Sequence, residues 1–293
     1  MLSGQSRYLC AKIPKKVKKI LIPIFTLFLT VLLVLIALGQ NTKPKFATLE
    51  ELTDELKAAP CKNEERLDAA RKLFEAMGAT EADISLIESG SVKDLVVTKK
   101  GKTEDTVIVG AHYDKVKDGC GAIDNWTGIV TVANLYRTFR NMQSDKTYVF
   151  VAFDKEESGL YGSNAFIKSI PEEKKDSYCW MVNVDSLGFA EPQVMDNTTT
   201  PKMLDEAVKM AKELDASFSH ARILNADADS SSFVNRGIPA ITFHGLNQNW
   251  RQYLHTSSDK FENLKVPLVL NGYSFVLRYI ARLDGRPCSE FRK

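Results

Sequence analysis

Apolar positions follow two different periods along this chain. Between residues 47 and 78 the spacing is helical. Thr48 with Glu51 three residues on forms a capping box ahead of Leu52 and Leu56, which predicts a helix to about Ala59. A second helix is predicted over 63–77, with Gly78 as its stop. From Lys93 onward, short runs rich in β-branched residues and bounded by turns appear at 94–98, 106–111, 147–153, 179–184 and 238–243. Each reads as a buried strand. Helical stretches at 127–139, 160–170, 202–214 and 266–283 alternate with them. That alternation predicts an α/β fold, a three-layer sandwich around a mixed, largely parallel central sheet. In such sheets, ligands bind beyond the C-terminal ends of the strands.

One segment falls outside this scheme. Residues 20–39 run 20 positions without a charge, enough at about 1.5 Å per residue to cross a hydrocarbon core. Arg7, Lys12, Lys15, Lys16, Lys18 and Lys19 precede it with no acid among them, so this end is expected to stay cytoplasmic and the C-terminal body to be exported. The expected organisation is a basic cytoplasmic segment at 1–19, a transmembrane signal anchor at 20–39, a polar tether at 40–46 and one domain at 47–293. A cleaved signal peptide is the alternative, with Ala37 and Gly39 suited to a cleavage site and a secreted product. The exported side could be periplasmic, lumenal or extracellular. Cys61, Cys120, Cys179 and Cys288 would then meet an oxidising environment, and three full pairings are open to them. Cys10 is expected to be a free thiol on the cytoplasmic side.

Charge narrows the function classes. The 293 residues carry a net charge of +2, but without the six N-terminal bases the remainder has 33 bases against 37 acids. A mildly acidic body gives no reason to expect nucleic-acid binding.

The polar residues with chemical potential stand where the predicted strands end. Residues 106–111 run into His112-Tyr113-Asp114, residues 147–153 into Asp154-Lys155-Glu156-Glu157, and residues 179–184 into Asp185. Asp124 follows Gly119-Cys120-Gly121 and is placed to cap the helix at 127–139, while His255 lies in the late loop Tyr253-Leu254-His255-Thr256. Several carboxylates gathered at one sheet edge repel one another, and burying them unpaired is costly. Divalent metal relieves both problems, and imidazole with carboxylate but no thiolate suits zinc in a hydrolytic site. The donor count fits two ions that share one carboxylate.

The same segments carry a family resemblance. His112-Tyr113-Asp114, Gly121-Ala122-Ile123-Asp124-Asn125, Glu156-Glu157-Ser158-Gly159-Leu160-Tyr161-Gly162-Ser163, Asn183-Val184-Asp185-Ser186-Leu187-Gly188 and His255-Thr256-Ser257-Ser258-Asp259 resemble, in order, the motifs of the co-catalytic di-zinc aminopeptidases of clan MH. The similarity spans roughly residues 90–280. It implies that His112 and Asp185 bind one zinc, that Glu157 and His255 bind the other, and that Asp124 bridges them. It also implies Glu156 as the general base and Asp114 as the residue that orients His112. The implied activity is a metallo-exopeptidase that removes N-terminal residues from peptides with a free N-terminus, using a zinc-activated water.

Departures from the family pattern bear on details. Relatives often place an oxyanion-donating tyrosine just before the last histidine, where this chain has Leu254, with Tyr253 one residue earlier. Ser230 stands where many relatives have histidine, which could alter the substrate pocket. Asp259 is expected to buttress the loop of His255, and His244 and His220 to be scaffold. Of the two glycosylation sequons, Asn197 is a better acceptor than Asn125, which adjoins Asp124.

Two other functions remain open. Glutaminyl cyclases resemble this family and share its ligand set. They differ by an insertion after the Glu-Glu pair and a tryptophan before the last histidine, and this chain has neither feature. A non-catalytic receptor-like relative is the second alternative, though such relatives typically lose metal ligands. An aminopeptidase is favoured over a carboxypeptidase because an acidic cleft suits an α-amine, with Arg236 and Arg251 as the cations that could reverse that preference.

Overall fold

A computed structural model describes residues 43–292. The hydrophobic run at 20–39 and its basic flank lie outside the described residues. Among the described residues, no helix is long and apolar enough to cross a membrane.

The domain begins at Pro44. Lys45 and Phe46, read from sequence as the end of a tether, are docked instead. Thr138 Oγ1 donates to Lys45 O at 2.8 Å, and Arg137 Nη2 donates to Phe46 O at 3.3 Å. Two helices follow, α1 (Leu49–Lys57) and α2 (Asn63–Ala76). The Thr48–Glu51 capping box forms as expected, satisfying first-turn amides that a helix leaves open.

Eight strands form one sheet: β1 (Ile84–Ser89), β2 (Val92–Lys99), β3 (Thr106–His112), β4 (Thr147–Phe153), β5 (Tyr178–Val184), β6 (Gln193–Met195), β7 (Ser219–Ala221) and β8 (Ala240–His244). Their spatial order is β1-β2-β4-β3-β5-β8-β6-β7. The central β4-β3-β5-β8 unit is parallel, whereas β1–β2, β2–β4 and β6–β8 pair antiparallel. The remaining helices are α3 (Thr127–Phe139), α4 (Tyr161–Ser169), α5 (Pro201–Glu213), α6 (Ser230–Asn235) and α7 (Val266–Leu283). Strands β1, β6 and β7 and helix α6 were not predicted. The first is half-exposed with no clean alternation, and the other three are too short to show a period.

Alternation along the parallel strands splits the core in two. Val107, Val109, Tyr148, Phe150, Trp180 and Val182 face one way, into a large cluster with Phe74 of α2, Ile129 and Tyr136 of α3, and Tyr279 of α7. Ile108, Val149, Val151, Phe153 and Met181 face the other way, under Phe166 of α4 and Phe233 of α6. Helices therefore cover both faces, making three layers. Gly110 belongs to the second face, where a Cβ would stand 2.3 Å from the Phe153 ring, so only glycine lets that ring lie against β3. Two disulfides resolve the open pairing: Cys61 with Cys120, and Cys179 with Cys288. The first ties the segment before α2 to the loop that carries Asp124.

Candidate active site

Strands β3, β4 and β5 end side by side, so their C-terminal residues meet at one edge. His112 is the last residue of β3, Asp185 follows β5, and Glu156 and Glu157 follow β4 in a tight turn. All seven residues expected at the site are brought together there. The Asp124 carboxylate is central: Oδ1 lies 3.2 Å from His112 Nε2, and Oδ2 lies 3.1 Å from His255 Nε2. Asp185 Oδ1 stands 3.8 Å from His112 Nε2, and Glu157 Oε2 stands 3.1 Å from His255 Nε2. The donors thus divide into two sets that meet on Asp124. Glu156 joins the first, with donor atoms of His112, Glu156 and Asp185 all within 4.8 Å of one another.

Asp114 contacts both His112 and the glutamate turn. Its Oδ1 is 3.4 Å from His112 Nδ1, the ring nitrogen opposite the one facing Asp124. The same carboxylate accepts the backbone N–H of Glu156 at 2.9 Å and of Glu157 at 3.2 Å, which sets the direction of the turn carrying both glutamates.

Asp124 departs from the sequence reading in one respect. It is not the cap of α3, because it sits in an irregular turn, Ala122–Trp126, with non-helical torsions. Asn125 does the capping: its Oδ1 accepts from Gly128 N at 2.9 Å and from Ser186 N at 3.0 Å, while its Nδ2 donates to Val184 O at 2.9 Å. A Cβ on Gly128 would stand 2.4 Å from Asn125 Oδ1, so this approach of α3 to the end of β5 requires glycine. The fully buried Asn125 amide cannot carry a glycan. Asn197, the favoured acceptor from sequence, is also committed: it donates to Ala226 O at 2.8 Å and accepts from Ile223 N at 3.0 Å.

Two residues behind the site hold the Asp124 turn. Asp259 accepts from Ile123 N at 2.7 Å and Asp124 N at 3.2 Å, so it buttresses the Asp124 turn directly. Arg66 of α2, fully buried, donates to the carbonyls of Tyr113, Pro60, Cys120 and Gly121. Arg66 was invisible in the sequence, where it reads as one more base on an amphipathic helix. Asp229 and Asp94, also fully buried, were likewise missed as parts of the acidic surround. The backbone shows how closely this edge is built: Lys155, Leu160, Ser186 and His255 all adopt positive φ, between 54° and 60°. Non-glycine residues there cost roughly 1–2 kcal/mol each, and all four lie at or beside the donor residues.

Electrostatics without a cation is unbalanced. Burial pushes Glu156 well above its usual range, and burial also raises Glu157. Burial alone would lower His112, but the charge of Glu156 and hydrogen bonds to Asp114, Asp124 and Asp185 lift it well above an ordinary imidazole. Hydrogen bonds to Asp124 and Glu157 raise His255 to about 10. Burial would raise Asp124, yet the two histidines hold it below the carboxylate range. Glu157 Oε1 is buried without any partner. A cation supplies what this arrangement lacks. It would replace two imidazolium protons, partner the orphaned oxygen and neutralise the acids, and the N/O donor set suits zinc.

The cleft is about 460 Å³, with Leu160, Met195, Leu246, Trp250 and Leu254 as its apolar wall. Three residues singled out from the sequence lie outside its lining. Ser230 does not reach it, because its buried hydroxyl bonds to Thr198 O and Thr242 Oγ1. Tyr253 packs on Phe189 with ring centroids 4.8 Å apart, outside the lining. Arg236 pairs with Glu172 away from the cleft.

An α/β sandwich with two histidines and four carboxylates converging beyond its parallel strands defines a metallohydrolase-like protein. Residues 94–280 match the family model described as peptidase family M28, and the chain belongs to that family. A probable leucine aminopeptidase of Arthroderma otae is 29% identical over 217 residues, covering 66% of this chain and 58% of its own length. The chain spans about three fifths of the length of the curated relatives of that name. Among solved structures, a zinc aminopeptidase from Bacillus subtilis has a TM-score of 0.60 at 23% identity, covering 65% of this chain and 50% of its own. A glutaminyl cyclase from an Acidobacteriales bacterium has a TM-score of 0.68 at 19% identity, covering 85% and 98%. Both structures share the fold.

Proposed function

We propose that this chain is a zinc aminopeptidase that takes two zinc ions, with Asp124 shared between a His112/Asp185 set and a His255/Glu157 set. The observation that carries the reading is the Asp124 carboxylate spanned by the two histidines, one on each oxygen, at 3.2 and 3.1 Å. Zinc bound there would polarise a scissile carbonyl and acidify the attacking water. The chain's own residues do the rest. Glu156 lines the cleft and takes the water's proton, then returns it to the leaving amine. Asp114 holds the Glu156 and Glu157 amides and thereby aims both carboxylates. The acidic rim attracts the free α-amine of the substrate, and the wall of Leu160, Met195, Leu246 and Leu254 excludes water from the reacting bond.

The chain is further proposed to be anchored by residues 20–39, with residues 1–19 cytoplasmic, a short tether after the span and the peptidase domain exported. The uncharged run and its basic flank support this, as do two disulfides of a kind that persist in oxidising compartments. Alkaline extraction of membranes separates an anchored chain, retained in the pellet, from a processed one released to the supernatant.

The activity is tested with the full chain in detergent, supplied with zinc, on a peptide with a free N-terminus and its acetylated twin. Release of the first residue from the free peptide alone is expected. Glu156→Gln should retain zinc and lose turnover by at least ~10²-fold. A zinc-loaded protein that cleaves neither peptide but releases ammonia from a glutamine-first peptide would instead be a cyclase.

A further inference from the structure

The catalytic cleft is not the end of the groove. A second recess of about 610 Å³ meets it at Leu246 and Trp250, which line both. The two differ in charge. The cleft is lined by Asp124, Glu156, Glu157, Asp185 and Asp227, whereas the recess has no acidic residue in its lining and carries Arg222 and Arg251. Among the described residues, neither arginine has a carboxylate partner. Arg251 lies over the Trp250 ring at 4.4 Å, and its Nη2 donates to Leu224 O at 3.3 Å, so this cation is held against the shared wall.

A histidine closes the floor. His244, only 2% exposed, lines the recess, and its Nδ1 accepts from Leu246 N at 3.1 Å. The neutral ring therefore carries its proton on Nε2, which is sealed from the recess beside the Val194 backbone, so His244 closes the floor and offers no donor to it. Asn247 and Gln248 bring two side-chain amides to the same lining. Guanidinium groups without a carboxylate partner and amide donors, with no carboxylate in the lining, form a site for an anionic oxygen pair.

We propose that this recess is a carboxylate subsite for the peptide being cleaved, built by Arg222 and Arg251. The inference rests on the aminopeptidase reading, in which the acidic cleft takes the substrate's amine. A bound peptide then runs from an acidic to a basic compartment, and a substrate carboxylate is held near the shared wall. That carboxylate can be the C-terminus of a short peptide or an acidic side chain.

Calorimetry on the zinc-loaded full chain carrying Glu156→Gln tests this independently of turnover. The probes are Leu-Ala-Ala-amide, Leu-Ala-Ala with its free carboxylate, and Leu-Glu-Ala-amide. At least one carboxylate peptide should bind about tenfold more tightly than the neutral amide, in keeping with charge-assisted bonds. A gain confined to Leu-Ala-Ala assigns the subsite to the C-terminus, and a gain confined to Leu-Glu-Ala-amide assigns it to the side chain. Adding Arg222→Gln and Arg251→Gln together should bring that ratio to about one, with the neutral amide as the internal reference for cleft integrity. Equal affinity for all three peptides, or a ratio that survives both substitutions, overturns the proposal. Hydrolysis of Leu-Ala-Ala-amide by the unsubstituted protein separately decides the aminopeptidase reading.

Discussion

Arg66→Met should destabilise the peptidase domain far more than an ordinary surface substitution. The guanidinium is fully buried, stacks 5.2 Å from the Trp126 ring, and serves four carbonyls. Burial lowers its pKa only to about 10, so it stays charged at neutral pH. Removing it leaves the carbonyls of Tyr113, Pro60, Cys120 and Gly121 short of donors, at about 1–3 kcal/mol for each that stays dry. Against this, the cost of burying a cation with no directly paired carboxylate is recovered, which is several kcal/mol. Balancing the two gives a net loss of roughly 3–5 kcal/mol, or about 6–20 °C in Tm for a domain of this size. Thermal unfolding of the metal-free protein by circular dichroism measures it. Arg66→Lys serves as control: it restores the charge but offers three donors from one point, so it should recover less than half of the loss. Two of the four carbonyls flank His112 and Asp124, so half-saturation should also require more zinc. A Tm within about 2 °C of the parent for Arg66→Met would refute the reasoning, because it would mean water satisfies those carbonyls.

Further expectations follow from the same geometry. Asp259→Asn turns one acceptor for the Ile123 and Asp124 amides into a donor, and should weaken zinc affinity about 10–100-fold by dialysis against a chelator, with the fold intact. Burial raises Asp94 to about 8. Between the ordinary carboxylate range and pH 8 the unfolded chain therefore loses a proton that the folded chain keeps, and stability falls with pH by up to about 1.4 kcal/mol per unit. Asp94→Asn removes that slope, so the Tm gap between variant and parent should widen from pH 5 to 8; a constant gap contradicts the assignment. Cys61→Ser with Cys120→Ser opens a loop of 59 residues, and should cost about 4 kcal/mol by loop entropy, read as a lower urea midpoint.

Much of the architecture was legible because its signals are local. The helices at 127–139 and 266–283 were predicted to the residue, since each carries a long amphipathic or apolar period. The central strands were legible as β-branched runs, and the donor residues stood out because five short motifs occur in order, three at strand ends and two in loops. Strands β6 and β7, three residues each, hold no pattern that could announce them.

Spatial neighbours were a different matter. Nothing local says that Arg66, in the second helix, reaches the carbonyls of residues 113, 120 and 121, or that Asp259 holds the turn of Asp124 135 residues earlier. Asn125 looked like a glycosylation sequon and proved to be the cap of α3, because the chain brings Gly128 and Val184 against its side chain. Ser230 stood in a position expected to shape the pocket, yet tertiary packing turned it inward. Residue type and order thus determined the class of fold and the candidate donors, through periodicity and ligand chemistry. Which carboxylate spans both histidines, which cations stay unpaired and where the cleft continues were decided by the packing of β3, β4, β5 and β8, since those are distances between residues far apart in the chain.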